Sequence, residues 1–138
     1  MNKEKILGFY VCINNEENLI SNIFDDYKNN HQIVIASINP EIVTRNYKNL
    51  SFMKEINSVK YQIPDGIGIV YASKKQNGNI KQRIAGIDLM QKLCQNAPQY
   101  NAKIFLYGGK DNIAEKAKIE LEKSYPGINI VRNMQWIC

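Results

Sequence analysis

HQIVIASINPEIV, residues 31–43, decides the reading of the fold. Ile33-Val34-Ile35-Ala36 is a β-branched run that suits a strand buried on both faces. Ser37-Ile38-Asn39-Pro40 stops it, and Pro40, with its φ already fixed and no N–H to lose, suits the first turn of a helix. Strand, sharp turn, helix is the pattern, and it repeats outward. Upstream, Ile6 to Ile13 reads as one strand, followed by a helix over Glu16 to Tyr27 with Leu19, Ile20, Ile23 and Phe24 on one face. Downstream come helices at Glu41 to Tyr47 and Ser51 to Ser58, then a short strand from Lys60 to Ile63 that ends in Pro64-Asp65-Gly66.

The second half continues the alternation. Ile67 to Ser73 reads as a short helix and Lys74 to Asn79 as a polar loop. A helix starts near Gly86, with Ile87, Leu89, Met90, Leu93, Cys94 and Ala97 as its expected inner face. Ala102 to Tyr107 is a strand broken by Gly108-Gly109. Asp111 or Asn112 is placed to cap a helix with Ile113, Ala114, Ala117 and Leu121 inside, and Ile128 to Val131 is the last strand. The expected fold class is therefore α/β, Rossmann-like, with strands and helices alternating around a largely parallel sheet.

At 138 residues and 44% hydrophobic content, the chain can bury a core of its own, and one domain over residues 1–131 is the expectation. Eighteen Lys and Arg against 13 Asp and Glu give a net charge of +5, but no basic block forms a nucleic-acid arm. Cys12, Cys94 and Cys138 are too far apart for a C-x-x-C metal or redox motif, which fits a reduced cytoplasmic protein. No run approaches the roughly 20 apolar residues of a spanning helix, so membrane contact is expected to be peripheral.

In open α/β sheets, ligands bind beyond the carboxyl ends of the strands. Three such ends carry candidates. Asp65, in Pro64-Asp65-Gly66, is a carboxylate placed to take a proton from an attacking hydroxyl, or else a helix cap in a tight turn. Gly108 and Gly109 let backbone approach a diphosphate at a helix start, or else serve only the turn. Arg83 has a planar fork suited to phosphate, or to an ordinary ion pair. His31 has no second ligand at metal spacing and is expected to be structural or exposed.

Taken together, Ile38-Asn39-Pro40-Glu41, Ile63-Pro64-Asp65-Gly66-Ile67-Gly68, Arg83-Ile84-Ala85-Gly86-Ile87-Asp88-Leu89 and Phe105-Leu106-Tyr107-Gly108-Gly109-Lys110 occur in the order and approximate spacing of the WecG/TagA/CpsF glycosyltransferases, which the chain resembles from about Lys5 to Val131. The resemblance implies inverting transfer of N-acetylmannosamine, or a related sugar, from a UDP-sugar donor to N-acetylglucosaminyl-diphospho-undecaprenol, in teichoic acid, capsule or related surface polysaccharide synthesis. It implies Asp65 as base, Ser37 and Asn39 lining the sugar and phosphate pocket, and Arg83 with Gly108 and Gly109 holding the donor diphosphate. It implies no cofactor and no metal, because the family lacks an Asp-x-Asp motif. It also implies peripheral contact with the cytoplasmic face of the membrane and no nucleic acid partner. A noncatalytic UDP-sugar-binding or regulatory α/β module is the alternative.

Members of that family continue past this chain's end with a Gly-x-x-x-Gly-Tyr-like segment. The tail Arg132-Asn133-Met134-Gln135-Trp136-Ile137-Cys138 does not match it. One permitted coding, AGG-AAT-ATG-CAA-TGG-ATA-TGT, gives Gly-Ile-Cys-Asn-Gly-Tyr when read one nucleotide later. Residues 132–138 are therefore expected to be a non-native, frameshifted tail. Such truncation implies weak turnover and an exposed apolar surface that favours a homo-oligomer.

Overall fold

The computed structural model describes residues 2–107 and 112–134, with the side chains of residues 132–134 left aside. The chain divides into two compact units, one ending at Leu89 and the other beginning at Met90.

The first unit opens on β1 (Lys3–Ile6) and β2 (Phe9–Cys12), paired antiparallel from Lys3↔Cys12 to Ile6↔Phe9. The single strand expected over Ile6 to Ile13 is therefore the second arm of a hairpin. Its two-residue turn holds Leu7 and Gly8 at φ 45° and 96°. Hairpins favour such turns because their twist matches the strands, but leucine is an unusual residue at positive φ.

α1 (Glu16–Lys28) follows, capped by Asn15, whose Oδ1 accepts from the Asn18 N–H at 2.9 Å. Leu19, Ile23 and Phe24 are its buried face. β3 (Ile35–Ile38) pairs in parallel with β4 (Tyr61–Pro64), in register from Ile35↔Tyr61 to Ile38↔Pro64. α2 (Pro40–Asn46) and α3 (Leu50–Ser58) form the crossover that a parallel pair requires. α4 (Ile67–Lys75) leaves the end of β4. Ile6, Phe9, Val11, Ile38, Val43, Ile69 and Ile80 make one core, with Phe52, Met53 and Ile56 of α3 packed against it.

A polar lock ties α1 to the start of β4. Asp26 accepts hydrogen bonds from Lys60 Nζ and Tyr61 Oη and lies 3.2 Å from His31 Nδ1. Those partners, Lys60 first, hold the Asp26 carboxyl far below the usual carboxylate range. Burial and the adjacent carboxylate push the Tyr61 phenol well above its ordinary value. His31 is thus structural and largely exposed, as its isolation in sequence implies.

α5 (Gly86–Asn96) crosses from the first unit into the second. Leu89, Cys94 and Ala97 are buried as expected, whereas Ile87 and Met90 are exposed. In the second unit, β5 (Lys103–Tyr107) pairs in parallel with β6 (Asn129–Met134) across α6 (Ile113–Ser124), with an irregularity where Phe105 is opposite Arg132. Ile104, Leu106, Leu121 and Tyr125 pack around Cys94, Ile128 and Ile130. Asn112 has φ 63° and its side chain does not cap α6, and Ile113, expected inside, is exposed. The two parallel ladders and the alternation of elements give the α/β, Rossmann-like class read from the sequence, with an antiparallel hairpin added at the amino end.

Candidate functional site

The ends of β3 and β4 meet at a junction built around absent side chains. The Asp65 N–H continues the parallel ladder by donating to Ile38 O at 2.9 Å. Asn39 then caps α2, its Oδ1 accepting from the Ile42 N–H at 2.8 Å, and Pro40 opens the helix. Pro40 sits on the turn after β4. Gly66 has φ 107°, and a Cβ there would lie 3.0 Å from Pro40 Cδ; at Gly68 it would lie 2.6 Å from Pro40 Cγ. The glycines of Pro-Asp-Gly-Ile-Gly are thus required by backbone conformation at one position and by the proline ring at the other.

Asp65 does not cap the following helix. Gly66 is the residue before α4, and no side chain caps that end. The Asp65 carboxylate instead faces the segment leading into α5, which is tied to β4 by the Ile84 N–H donating to Pro64 O at 2.9 Å. Ile84 and Ala85 are buried, which fixes that segment. Arg83 Nε lies 3.7 Å from Asp65 Oδ1, and the Gly86 N–H points to Asp65 Oδ2 at 3.5 Å. Both contacts are long, and the Arg83 side chain is 53% exposed. A pair of this kind contributes at most about 1 kcal/mol and orients its members without committing them to each other.

Ser37 completes the group. A Cβ added to Gly86 would lie 2.8 Å from Ser37 Oγ and 3.7 Å from Asp65 Oδ2, so the hydroxyl and the carboxylate both approach the start of α5 closely, and the hydroxyl leaves no room for a side chain at Gly86. Four predicted residues, Ser37, Asn39, Asp65 and Arg83, therefore come from two strand ends and the segment before α5 into one neighbourhood. A cleft of about 290 Å³ lies at the carboxyl ends of β2 and β4, bordered by Cys12, Asn14, Pro64, Ile80 and Gln82. Burial pushes the Cys12 thiol up, which makes it a poor nucleophile at neutral pH. Among the described residues no group of three His, Cys, Asp or Glu could hold a metal ion. Gly108 and Gly109, the predicted diphosphate turn, lie outside the described residues.

The ordered strand ends and their chemistry agree with the sequence of a known family. The model of the glycosyl transferase WecG/TagA/CpsF family matches residues 4–135. The chain belongs to that family. Within this glycosyltransferase family it is similar to the N-acetylglucosaminyldiphosphoundecaprenol N-acetyl-beta-D-mannosaminyltransferase of Bacillus subtilis (strain 168), 34% identical over 113 residues, covering 78% of this chain and 44% of that protein. The enzyme of the same name from Staphylococcus aureus (strain NCTC 8325 / PS 47) is 31% identical over 107 residues, covering 78% and 42%. The chain thus spans less than half the length of these curated relatives. Gly86, against which the Ser37 hydroxyl packs, was not singled out from the sequence. Its signal was the lone glycine three residues after Arg83 at a helix start, where alanine would otherwise be favoured.

Proposed function

We propose that this chain carries the base-bearing part of a glycosyltransferase site. That site moves N-acetylmannosamine, or a related sugar, from a UDP-sugar to a polyprenyl-diphosphate-linked N-acetylglucosamine. Family membership supports the reaction class, and the names of the relatives support the lipid-linked acceptor and the sugar. The observation that carries the residue assignment is the Asp65 carboxylate, which faces the first N–H of α5, at Gly86, rather than the start of α4, and lies between that N–H and Arg83 beside Ser37.

In the proposed step, an acceptor hydroxyl hydrogen-bonds to Ser37 and gives its proton to Asp65 as its oxygen forms a bond to the anomeric carbon of the donor sugar. The bond from that carbon to the UDP oxygen breaks on the opposite face, and its electron pair leaves with UDP, so configuration inverts. Arg83 supplies positive charge near the developing diphosphate. Asn39 fixes the start of α2 and lines the pocket. Activity is expected without added divalent metal.

No helix among the described residues is long and apolar enough to cross a membrane. A diphosphate anchored by a polyprenyl chain lies at the bilayer surface, and a net charge of +5 favours approach to anionic lipid. Peripheral action at the cytoplasmic face, in synthesis of teichoic acid or a related polymer, belongs to this proposal. It is tested by acceptor-dependent UDP release in excess EDTA, measured for the native chain and for Asp65→Asn. Release by the native chain alone supports the reading. Release by both proteins in equal amounts removes Asp65 from it.

A further inference from the structure

We propose that the cleft at the carboxyl ends of β2 and β4 is a subsite for the acetamido group of an N-acetylhexosamine, with Asn14 accepting a hydrogen bond from its N–H. The proposal rests on the glycosyl-transfer reading and adds to it the group by which the right sugar is told apart.

The cleft adjoins the candidate machinery through the chain itself. Two of its lining residues, Pro64 and Gln82, immediately precede Asp65 and Arg83. One wall is fixed by hydrogen bonds that need no ligand. The Ile80 N–H donates to the buried Ser73 Oγ at 3.1 Å and the Ile84 N–H to Pro64 O at 2.9 Å, so the strap carrying Lys81, Gln82 and Arg83 is pinned at both ends. Glu4 holds the approach to it, accepting from the Asn79 N–H at 2.6 Å and from Gln76 Nε2 at 2.8 Å. A preformed wall spares a ligand the cost of ordering it.

The lining selects the ligand. Asn14 Oδ1 is buried and has no hydrogen-bond partner among the described residues. An unpaired buried acceptor is unfavourable, and because Asn14 borders the cleft, turning its carboxamide toward a donor seated there relieves it. The missing partner is thus a donor, and a diphosphate ionised at neutral pH offers none. Glu16 and Glu17, in the first turn of the helix whose cap Asn15 also borders the cleft, oppose an anion further, and Lys81 Nζ donates to Gly78 O at 3.0 Å. Cys12, Ile13, Ile80 and Pro64 add apolar surface. An acetamido group brings an N–H for the oxygen and a methyl for that surface, whereas a sugar hydroxyl brings only the first. At about 290 Å³ the cleft is at the small end of ligand pockets, which start near 300 Å³, and suits one sugar ring rather than a whole nucleotide-sugar.

Both sugars of the proposed transfer carry an acetamido group, so two pairs of ligands are compared by titration calorimetry. One is a short-chain N-acetylglucosaminyl-diphospho-lipid against its glucosyl counterpart, and the other is UDP-N-acetylmannosamine against UDP-mannose. The native chain should prefer the acetamido member of at least one pair by about five- to tenfold, the worth of one net hydrogen bond, and Asn14→Leu should abolish that preference. The pair that shows it identifies the source, acceptor or donor. Asn14→Leu should also keep or raise the thermal midpoint, because an apolar group of similar shape removes the unpaired oxygen. In the native chain, the Asn14 side-chain NH2 and Gln82 backbone N–H resonances should shift when the preferred ligand is added.

No preference in either pair, a preference unchanged by Asn14→Leu, or resonances of both groups left unmoved overturns the proposal and leaves a buried water as the partner of Asn14. A lowered midpoint with both members of a pair weakened equally assigns Asn14 to the fold and overturns it as well. If the Asn14-dependent preference is present but the native chain transfers no sugar, the transfer reading fails while the subsite stands. If sugar is transferred without that preference, the subsite alone falls.

Discussion

Replacing Gly68 with alanine puts two effects of known size in opposition. At an unobstructed helix position the change would stabilise the fold by up to about 1 kcal/mol, through reduced freedom of the unfolded chain. Here the new Cβ would lie 2.6 Å from Pro40 Cγ and 3.5 Å from Pro40 Cβ. Carbon pairs prefer roughly 3.5–4.0 Å, so about 1 Å of overlap must be relieved. Pro40 cannot rotate away, because its ring is fused to the backbone of α2 behind the Asn39 cap. Overpacking of this kind costs about 1–3 kcal/mol, leaving a net loss of about 1–2 kcal/mol. Urea unfolding followed by circular dichroism should show a midpoint lower by about 1 M at unchanged slope. Pro40→Ala removes Cγ, and Gly68→Ala in that background should cost nothing or stabilise. A Gly68→Ala variant as stable as the native chain, or equal costs in both backgrounds, would refute the claim that these two elements lock the site's strand ends together.

Leu7→Asn should stabilise the hairpin by about 0.5–1 kcal/mol, because Asn-Gly suits a turn with two positive φ angles and leucine does not; the urea midpoint reports it. Asn39→Ala should lower stability by about 1 kcal/mol through loss of the α2 cap, in addition to any effect on substrate, and calorimetry resolves the stability part. Asp26→Asn should destabilise the chain at neutral pH. Because the folded carboxyl titrates below its unfolded value, the native advantage is complete above about pH 3.9 and fades as pH falls through the folded value, so the two stability curves should converge in acid. Tyr61 has the opposite sign: its raised phenol favours the fold below about pH 10, and that contribution is lost as pH rises further. Tyr61→Phe should therefore flatten the alkaline limb of the stability profile.

The elements most legible in the sequence were those whose cause is local. β4 follows from a short apolar run, and α2 from Asn39-Pro40, whose capping oxygen and ring act within three residues; β3 was read two residues early, since it runs Ile35–Ile38 through the Ser37-Ile38 expected to stop it and leaves Val34 exposed, its register being set by pairing with β4. The hairpin was hidden because Leu7 is not a turn residue by chemistry; its positive φ follows from the pairing on either side. The face of α5 was drawn too wide, since hydrophobicity marks Ile87 and Met90 no differently from Leu89 and Cys94, and only the packing distinguishes them. At the site, residue types could be read but their meeting could not. Asp65 and Arg83 are joined by a long-range approach that no spacing rule encodes. The role of Gly86 depends on what a side chain would strike, Ser37 Oγ, which lies on a different element.

Mass spectrometry of a short-chain N-acetylglucosaminyl-diphospho-lipid incubated with UDP-N-acetylmannosamine tests the central claim most directly, with the native chain and Asp65→Asn assayed side by side. The account predicts an acceptor heavier by one N-acetylhexosamine with the native chain, and at least about 100-fold less of it with a folded Asp65→Asn variant. No product from the native chain, or equal product from both, would contradict it.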